Sequence, residues 1–186
     1  MIQILPRPFL SLQKQKSHEF NLTKILCLSL AFTFLPIASS HADEKDVLGY
    51  IETVYVGESM LAMSAKLDTG ADTSSVFAID MRIEREKGKK WVRFRLAGDD
   101  GRTVRYRKKV LRLAKIKLKS GGTISRPVVS LPICVNGIRA DAIINLADRT
   151  DFDHPMLLGR EFLASRIIVD PGQTHISDRP CPQLEP

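Results

Sequence analysis

The sequence predicts an all-β domain: a closed, barrel-like sheet with one short helix near its C-terminal end. Three observations support this class. Short runs of alternating polar and apolar residues recur along the chain, Gly, Asn, Asp and Pro separate them, and no long segment has the apolar period of an amphipathic helix. So many short strands in about 140 residues favour a sheet that closes on itself.

The individual strands follow from the alternation and from the turns between them. Residues 91–96 and 102–107 alternate on either side of Gly98-Asp99-Asp100-Gly101, which predicts a hairpin, and Asn136-Gly137 predicts a second, tighter hairpin turn. Residues 159–165 are predicted to form the short helix, and 148–155 a polar loop. The remaining strands are predicted at 47–55, 60–67, 111–119, 127–135, 138–146 and 167–169.

Residues 1–42 have the pattern of a signal peptide, which leaves 43–186 as one domain. Lys14, Lys16 and Lys24 precede an apolar run at 25–37, and small residues around Ala42 fit a cleavage site. The run is shorter than the roughly 20 residues of a membrane-spanning helix, so no stable membrane span is expected after cleavage. The protein is therefore expected in the periplasm or outside the cell. An uncleaved anchor and a wrongly assigned start codon remain open.

Export would place Cys134 and Cys181 in an oxidising compartment. A disulfide that pins the Pro-rich C-terminal tail and a pair of free thiols are equally compatible with the sequence, because spacing along the chain does not give the distance between the two residues. Both alternatives stay open.

The net charge of +7 is unevenly distributed. Between Arg82 and Lys119 there are 16 Lys and Arg residues against four acidic residues, a local charge of +12. Such a patch can steer an anionic partner, although solvated outer faces of strands would look the same. Nucleic acid is not the expected partner, because aromatic residues are sparse in this segment and an exported protein rarely meets it. An acidic polypeptide or an anionic envelope polymer is the better match.

Asp68-Thr69-Gly70 follows the apolar end of a predicted strand and precedes Ala71-Asp72. Aspartic peptidases place two carboxylates around one water so that they share a proton, and one acts as base while the other acts as acid. An Asp-Thr-Gly turn is also an ordinary Asx turn. The chain carries one such Asp, so this chemistry requires a homodimer.

Three segments together make the chain similar to the retropepsin-like aspartic peptidases, and within them to a bacterial group labelled ATP-dependent zinc proteases. They are Leu67-Asp68-Thr69-Gly70-Ala71-Asp72, the basic hairpin at 91–107 and Leu157-Leu158-Gly159-Arg160-Glu161-Phe162-Leu163. The segment Asn145-Leu146-Ala147-Asp148-Arg149 resembles the same bacterial group. The resemblance covers nearly all of the mature chain and implies a barrel that dimerises through its active site.

The resemblance also implies a role for each matching residue. Asp68 is the catalytic carboxylate, Thr69 contacts the second subunit, and Gly70 and Ala71 complete the active-site turn. An ion pair between Asp72 and Arg160 locks this turn against the helix, and Gly159 is a structural glycine. Gly98, Asp99, Asp100 and Gly101 are the candidate flap, although their acidic tip departs from the Gly-rich, apolar flap tips of the family.

No metal or cofactor is predicted, despite the zinc and ATP in that group label. The chain has no His-Glu-x-x-His, no Cys-x-x-Cys and no Gly-rich loop ending in Lys-Ser/Thr. His154, beside Asp151 and Asp153, fits a solvated loop better than a weak cation site.

The sequence thus predicts an aspartic endopeptidase that cleaves peptides or proteins, with acidic ones favoured, at mildly acidic pH, because one carboxylate of the dyad must hold a proton. The alternative is a catalytically silent binding module that keeps the peptidase fold and holds an anionic envelope partner. A monomeric state would favour this alternative.

Overall fold

The computed structural model describes residues 45–117 and 121–182, which form eleven strands and one short helix. The strands lie along most of this length. In chain order the elements are β1 (Asp46–Val56), β2 (Leu61–Leu67), β3 (Ser74–Phe77), β4 (Ile79–Glu86), β5 (Lys89–Ala97), β6 (Thr103–Lys109), β7 (Arg112–Lys117), β8 (Thr123–Val135), β9 (Ile138–Ala147), β10 (Met156–Leu158), α1 (Arg160–Leu163) and β11 (Ile167–Thr174).

Six of these strands close into a ring, in the order β1, β2, β10, β3, β9, β8 and back to β1. The closing contact is short: Tyr55 and Val56 of β1 pair with Cys134 and Ile133 of β8. β11 extends the sheet beside β1, and β7 extends it beside β8. The predicted all-β, barrel-like class is therefore confirmed, with α1 as its one short helix.

The interior of the ring is filled by the apolar half of each alternating strand. On β2, Leu61, Met63, Ala65 and Leu67 are buried, while the residues between them face outward. This period of two is what a sheet with one buried face requires. Residues from other strands complete the core, among them Val54, Val76, Leu131, Ile144, Leu146, Met156 and Leu158.

A separate three-stranded sheet, β4–β5–β6, packs on the barrel through one face. Phe94 and Tyr106 stack with their ring centroids 5.5 Å apart, and the Tyr106 hydroxyl donates to Val56 O at 3.4 Å. Gly57 is required at this contact, because its φ is +72° and a Cβ there would lie 2.4 Å from the Tyr106 hydroxyl oxygen. The sheet is thus seated on the turn between β1 and β2.

The predicted strands agree with the structure within a few residues, and the strand predicted at 111–119 is described as far as Lys117. Asn136 and Gly137 have φ of +49° and +74°, so the predicted two-residue hairpin is confirmed. Three strands were missed. β3 and β10 have four and three residues, too few to show a period, and β4 is mostly exposed, although Ile79, Met81 and Ile83 alternate with charged residues along it.

The C-terminal segment is held to the barrel by a disulfide between Cys134 and Cys181, whose Cα atoms lie 5.9 Å apart. The sequence left this pairing open. Ser177, which precedes Cys181 in this segment, donates from Oγ to the buried Glu52 carboxylate at 2.7 Å. The same carboxylate accepts a hydrogen bond from Gly49 N at 2.7 Å. The tail is therefore part of the folded domain.

The predicted signal peptide lies outside the described residues. The residues that the structure does describe belong to one compact unit. In that part of the chain, no helix combines the length and the apolar character needed to cross a membrane.

Candidate active site

Asp68 lies immediately after β2, in a turn that backbone hydrogen bonds fix to the barrel. Its N–H donates to Leu158 O on β10 at 2.8 Å, and one of its carboxylate oxygens accepts from Gly70 N at 2.9 Å. Its O accepts from Ala71 N at 3.3 Å. The Asp68 side chain remains 25% exposed and Thr69 is exposed. The carboxylate is thus accessible on a backbone that is held from two strands.

Gly159 is needed for close approach rather than for an unusual φ, whereas a side chain at Gly70 would meet only a side-chain oxygen. Neither has a positive φ. A Cβ on Gly70 would lie 3.1 Å from the Asp68 carboxylate, and one on Gly159 would lie 2.7 Å from the carbonyl carbon of Thr73. The start of α1 therefore packs directly against the backbone that follows the Asp68 turn.

The predicted pair between Asp72 and Arg160 is present. Arg160 Nη2 contacts Asp72 Oδ1, and Arg160 Nη1 donates to Thr69 O at 2.9 Å. The pair is not buried, however: the Asp72 and Arg160 side chains are 77% and 51% exposed in the single chain. Exposed ion pairs stabilise by only about 0–1 kcal/mol. The turn is held more firmly by backbone bonds from Arg160 N and Glu161 N to Ala71 O and Asp72 O.

Lys66 was not predicted as a site residue. Its ammonium nitrogen lies 3.5 Å from Asp68 Oδ2, at the edge of the accessible side of the carboxylate. Lys66 and Asp68 are two residues apart at the end of a strand, so their side chains share a face. That spacing is the signal in the sequence that would have identified it.

The candidate flap does not cover Asp68. Asp99 N donates to Ala62 O at 3.0 Å, and a Cβ on Gly98 would lie 2.7 Å from a methyl carbon of Leu61. The turn at Gly98–Gly101 is therefore docked at the first residues of β2, whereas Asp68 follows the last. Seven strand residues span roughly 20 Å, so this position does not support the expected flap. The acidic tip fits instead a local contact, since Arg102 bonds the Asp100 carboxylate and lowers its pKa.

A second polar cluster, also not predicted, lies around β3 next to Asp68, with Ser74 on the side of the buried Val76 and Ser75 on the opposite face. Ser74 Oγ accepts from Gly159 N at 3.1 Å and ties β3 to the start of α1. Arg149 donates from Nη1 to Ser75 Oγ at 2.8 Å and from Nε to His154 O at 3.0 Å. The His154 ring in turn contacts Ser64 Oγ through Nδ1 at 3.1 Å. The 145–149 segment singled out in the sequence ends in this cluster.

The basic segment forms an arginine face on the outer side of the small sheet. Arg82, Arg93 and Arg107 are neighbours in register across β4, β5 and β6, as are Arg95 and Arg105 across β5 and β6. A cleft of about 780 Å³ opens over this face. Three acidic residues offset part of the charge: Asp80, Glu84 and Glu86. The face stays basic.

A metal site is not evident in residues 45–117 and 121–182, where no group of three or more His, Cys, Asp or Glu side chains is arranged to hold an ion. His154 contacts Ser64 and is not gathered with Asp151 and Asp153 into such a group.

Comparison with known proteins identifies the family. The sequence profile of the RimB-like family, described as the retropepsin-like aspartic endopeptidase RimB, matches residues 47–180. The chain belongs to this family. The match covers the Asp68 turn, both sheets and α1, so the resemblance found in the sequence is confirmed and the chain is a peptidase-like domain.

Two curated relatives have a different name. A protein named "Probable alpha-L-glutamate ligase" from Desulfotalea psychrophila is 34% identical over 114 residues, which are 60% of this chain and 25% of that protein. One with the same name from Shewanella pealeana is 30% identical over 137 residues, 72% of this chain and 30% of that protein. The chain thus spans less than a third of the length of these relatives.

A solved structure has the same fold. The crystal structure of a protein of unknown function from Legionella pneumophila superimposes with a TM-score of 0.62 at 30% identity, over 73% of this chain and all of the other.

Proposed function

We propose that the protein is an aspartic endopeptidase whose two catalytic carboxylates are Asp68 from each of two identical chains. The observation that carries the proposal is the Asp68 turn itself: an accessible carboxylate on a rigid backbone, in a chain of the retropepsin-like family. One carboxylate cannot share a proton with a second unless another copy supplies it. The dimer is therefore part of the mechanism.

In this mechanism one Asp68 carboxylate takes a proton from the attacking water while the other, protonated, donates to the scissile carbonyl oxygen. Two ionised carboxylates around one water would repel each other, and this repulsion keeps one of the pair protonated. Lys66, 3.5 Å from Asp68 Oδ2, favours the ionised form of the other. Thr69 is exposed beside the carboxylate, where a hydroxyl can contact the second subunit. Assembly would also cover the exposed Asp72–Arg160 pair.

An acidic polypeptide is the proposed substrate class. The arginine face (Arg82, Arg93, Arg95, Arg105 and Arg107) has more positive than negative side chains, which favours association with an anionic chain. The relatives named as glutamate ligases also support an acidic substrate, because a glutamate-containing product would be acidic. If raising the salt concentration slowed cleavage of acidic and neutral peptides equally, the face would have no part in recruitment.

The proposed location is the periplasm or the exterior of the cell. The Cys134–Cys181 disulfide supports it, since structural disulfides persist in oxidising compartments. Fractionation of cells that produce the full chain tests this directly. The protein should be found in the periplasmic or extracellular fraction without residues 1–42, and recovery from the cytoplasm with those residues intact would contradict it.

The proposed activity is tested by incubating a peptide library with the protein, with Asp68→Asn and with Asp99→Asn. Asp99 is an exposed carboxylate on the docked turn, so its replacement changes the charge equally. We expect cleavage by the protein and by Asp99→Asn but not by Asp68→Asn. Cleavage by Asp68→Asn at the wild-type rate would contradict the assignment. A monomer that binds anionic peptides without cleaving them would favour a binding module built on the arginine face.

A further inference from the structure

Arg149 is the one basic residue that is buried among residues 45–117 and 121–182, with 7% of its surface exposed. It donates to Ser75 Oγ and to His154 O, and its guanidinium lies 4.4 Å above the Phe152 ring. None of the ion pairs of the described residues includes it. Its Nη1 and Nε make the two hydrogen bonds, and Nη2 donates no hydrogen bond to the described residues.

A buried positive charge is normally compensated by a negative one, and the planar guanidinium matches a carboxylate best. Burial, with a smaller contribution from the charge of Arg126, lowers the pKa of Arg149. A guanidinium nevertheless stays protonated in proteins. Two hydrogen bonds and the Phe152 ring hold the Arg149 guanidinium in place. The described residues do not supply a carboxylate to balance its charge.

Asn145 borders the same cluster, next to Ser75. Its side chain is 5% exposed, and Nδ2 donates to Thr73 Oγ1 at 2.8 Å and to Ser74 O at 3.2 Å. These bonds fix the orientation of the amide, because a backbone carbonyl can only accept. Asn145 Oδ1 has no partner. Asn145 pairs in register with Ser75, so the unsatisfied acceptor and the uncompensated cation adjoin the same serine.

The cluster lies on the face of the sheet that carries the approach to Asp68. Lys66, Leu157, Ser75 and Asn145 are register neighbours on β2, β10, β3 and β9, and their side chains lie opposite the core. Strands are about 4.8 Å apart, so Ser75 is roughly 10 Å from Lys66, or about three residues of an extended peptide. A peptide whose scissile bond lies at Asp68 can therefore place a neighbouring side chain at Arg149.

We propose that Arg149 is a specificity-determining residue that binds a carboxylate of the peptide substrate. The proposal rests on the proposed peptidase function, since it takes the ligand to be a peptide lying across β2, β10 and β3. Two sources have the required chemistry: the side chain of an acidic residue, and the C-terminal carboxylate of the substrate. Nη2 is the donor that remains available, and Ser75 and His154 O hold the guanidinium plane in place.

The test measures binding rather than cleavage, so that it is independent of catalysis. The full chain carrying Asp68→Asn is titrated by calorimetry with blocked octapeptides in which one Glu, or one Gln, is moved along the sequence. A further peptide has Gln throughout and a free C-terminal carboxylate. At one position of the octapeptide, the peptide with Glu should bind the protein about tenfold or more tightly than the peptide with Gln, as expected for a charge-assisted hydrogen bond. If only the free C-terminus improves binding, the chain end is the source of the carboxylate.

The preference should disappear when Arg149→Gln is added, and Arg149→Lys should retain part of it. Lys115→Gln is the matched control, because Lys115 is exposed on β7 and its loss changes the net charge equally. Should Arg149→Gln fail to fold, a reduced Glu preference in Arg149→Lys, with unchanged affinity for the Gln peptide, supports the assignment. An equal preference with and without the Arg149 substitution overturns it, as does the absence of any carboxylate preference. Cleavage without such a preference would leave the peptidase proposal intact.

Discussion

Gly159→Ala is the substitution whose effect follows most directly from the structure. Gly159 has φ of −93°, which alanine adopts readily, so any cost is steric. An added Cβ would lie 2.7 Å from Thr73 C, 2.8 Å from Thr73 O and 2.9 Å from Asp72 O. All three are backbone atoms just after the Asp68 turn, so no side-chain rotation can relieve the contact. The backbone itself must move.

The size of the effect can be estimated from what must move. Overpacking of this kind costs about 1–3 kcal/mol of the free energy of unfolding. The shift also displaces Gly159 N from Ser74 Oγ and Asp72 O from Glu161 N, which together position the turn. Misplacing a catalytic group by about 1 Å can cost about 100-fold in rate, so activity should fall by at least about tenfold.

Urea denaturation and peptide cleavage measure the two effects of Gly159→Ala separately. Gly172→Ala is the matched control, because its φ is not positive and its nearest neighbour is a flexible side-chain oxygen, Asp170 Oδ1, at 3.3 Å. The control should change the free energy of unfolding by less than about 0.5 kcal/mol. If Gly159→Ala also stayed within that range and kept full activity, the reasoning that α1 braces the active-site turn would be refuted.

Three further substitutions test the rest of the fold. Cys181→Ser should lower the free energy of unfolding by about 2–4 kcal/mol, measured by urea denaturation, because the disulfide closes a long loop; wild-type protein with its disulfide reduced should match it. Glu52→Ala should speed amide hydrogen exchange at Ile176 and Ser177, whose N–H groups donate to this carboxylate at 3.1 and 3.3 Å, whereas unchanged exchange would mean the tail is held by the disulfide alone. Tyr106→Phe should make the free energy of unfolding fall less steeply with pH at alkaline pH. Burial raises the pKa of Tyr106 in the folded protein. The stability that the neutral hydroxyl contributes is therefore complete below the unfolded pKa near 10 and is lost as pH rises through the folded pKa. Equal slopes of stability against pH above 10 would argue against this.

Most of the fold could be predicted from the sequence because alternation and turn residues are local signals. β5 and β6 alternate on both sides of a Gly-rich turn, and Asn136-Gly137 determines its hairpin by backbone preference alone. β10 is different. Its three residues form a strand because β2 and β3 already flank them, so its existence depends on the assembled sheet.

The candidate site could be predicted only where residues act within one motif. Asp68 and Gly70 belong to a single turn, and Gly159 and Arg160 were found because the resemblance links two distant segments. Arg149 could not be assigned a role, because its contacts with Ser75 come from strand pairing 74 residues apart. The position of Gly98–Gly101 could not be predicted for a similar reason, because its docking on β2 is a tertiary contact with no local signal.

The claim that Asp68 from two chains forms one catalytic site is tested most directly by subunit mixing. Wild-type protein and Asp68→Asn are mixed in varying proportions under conditions where subunits exchange, and peptide cleavage is measured against the wild-type fraction. Because a mixed dimer holds one carboxylate, activity should fall with the square of that fraction. Mixing with Asp99→Asn should leave activity unchanged. Activity that falls in direct proportion to the wild-type fraction would mean that each chain works alone, and would contradict the account.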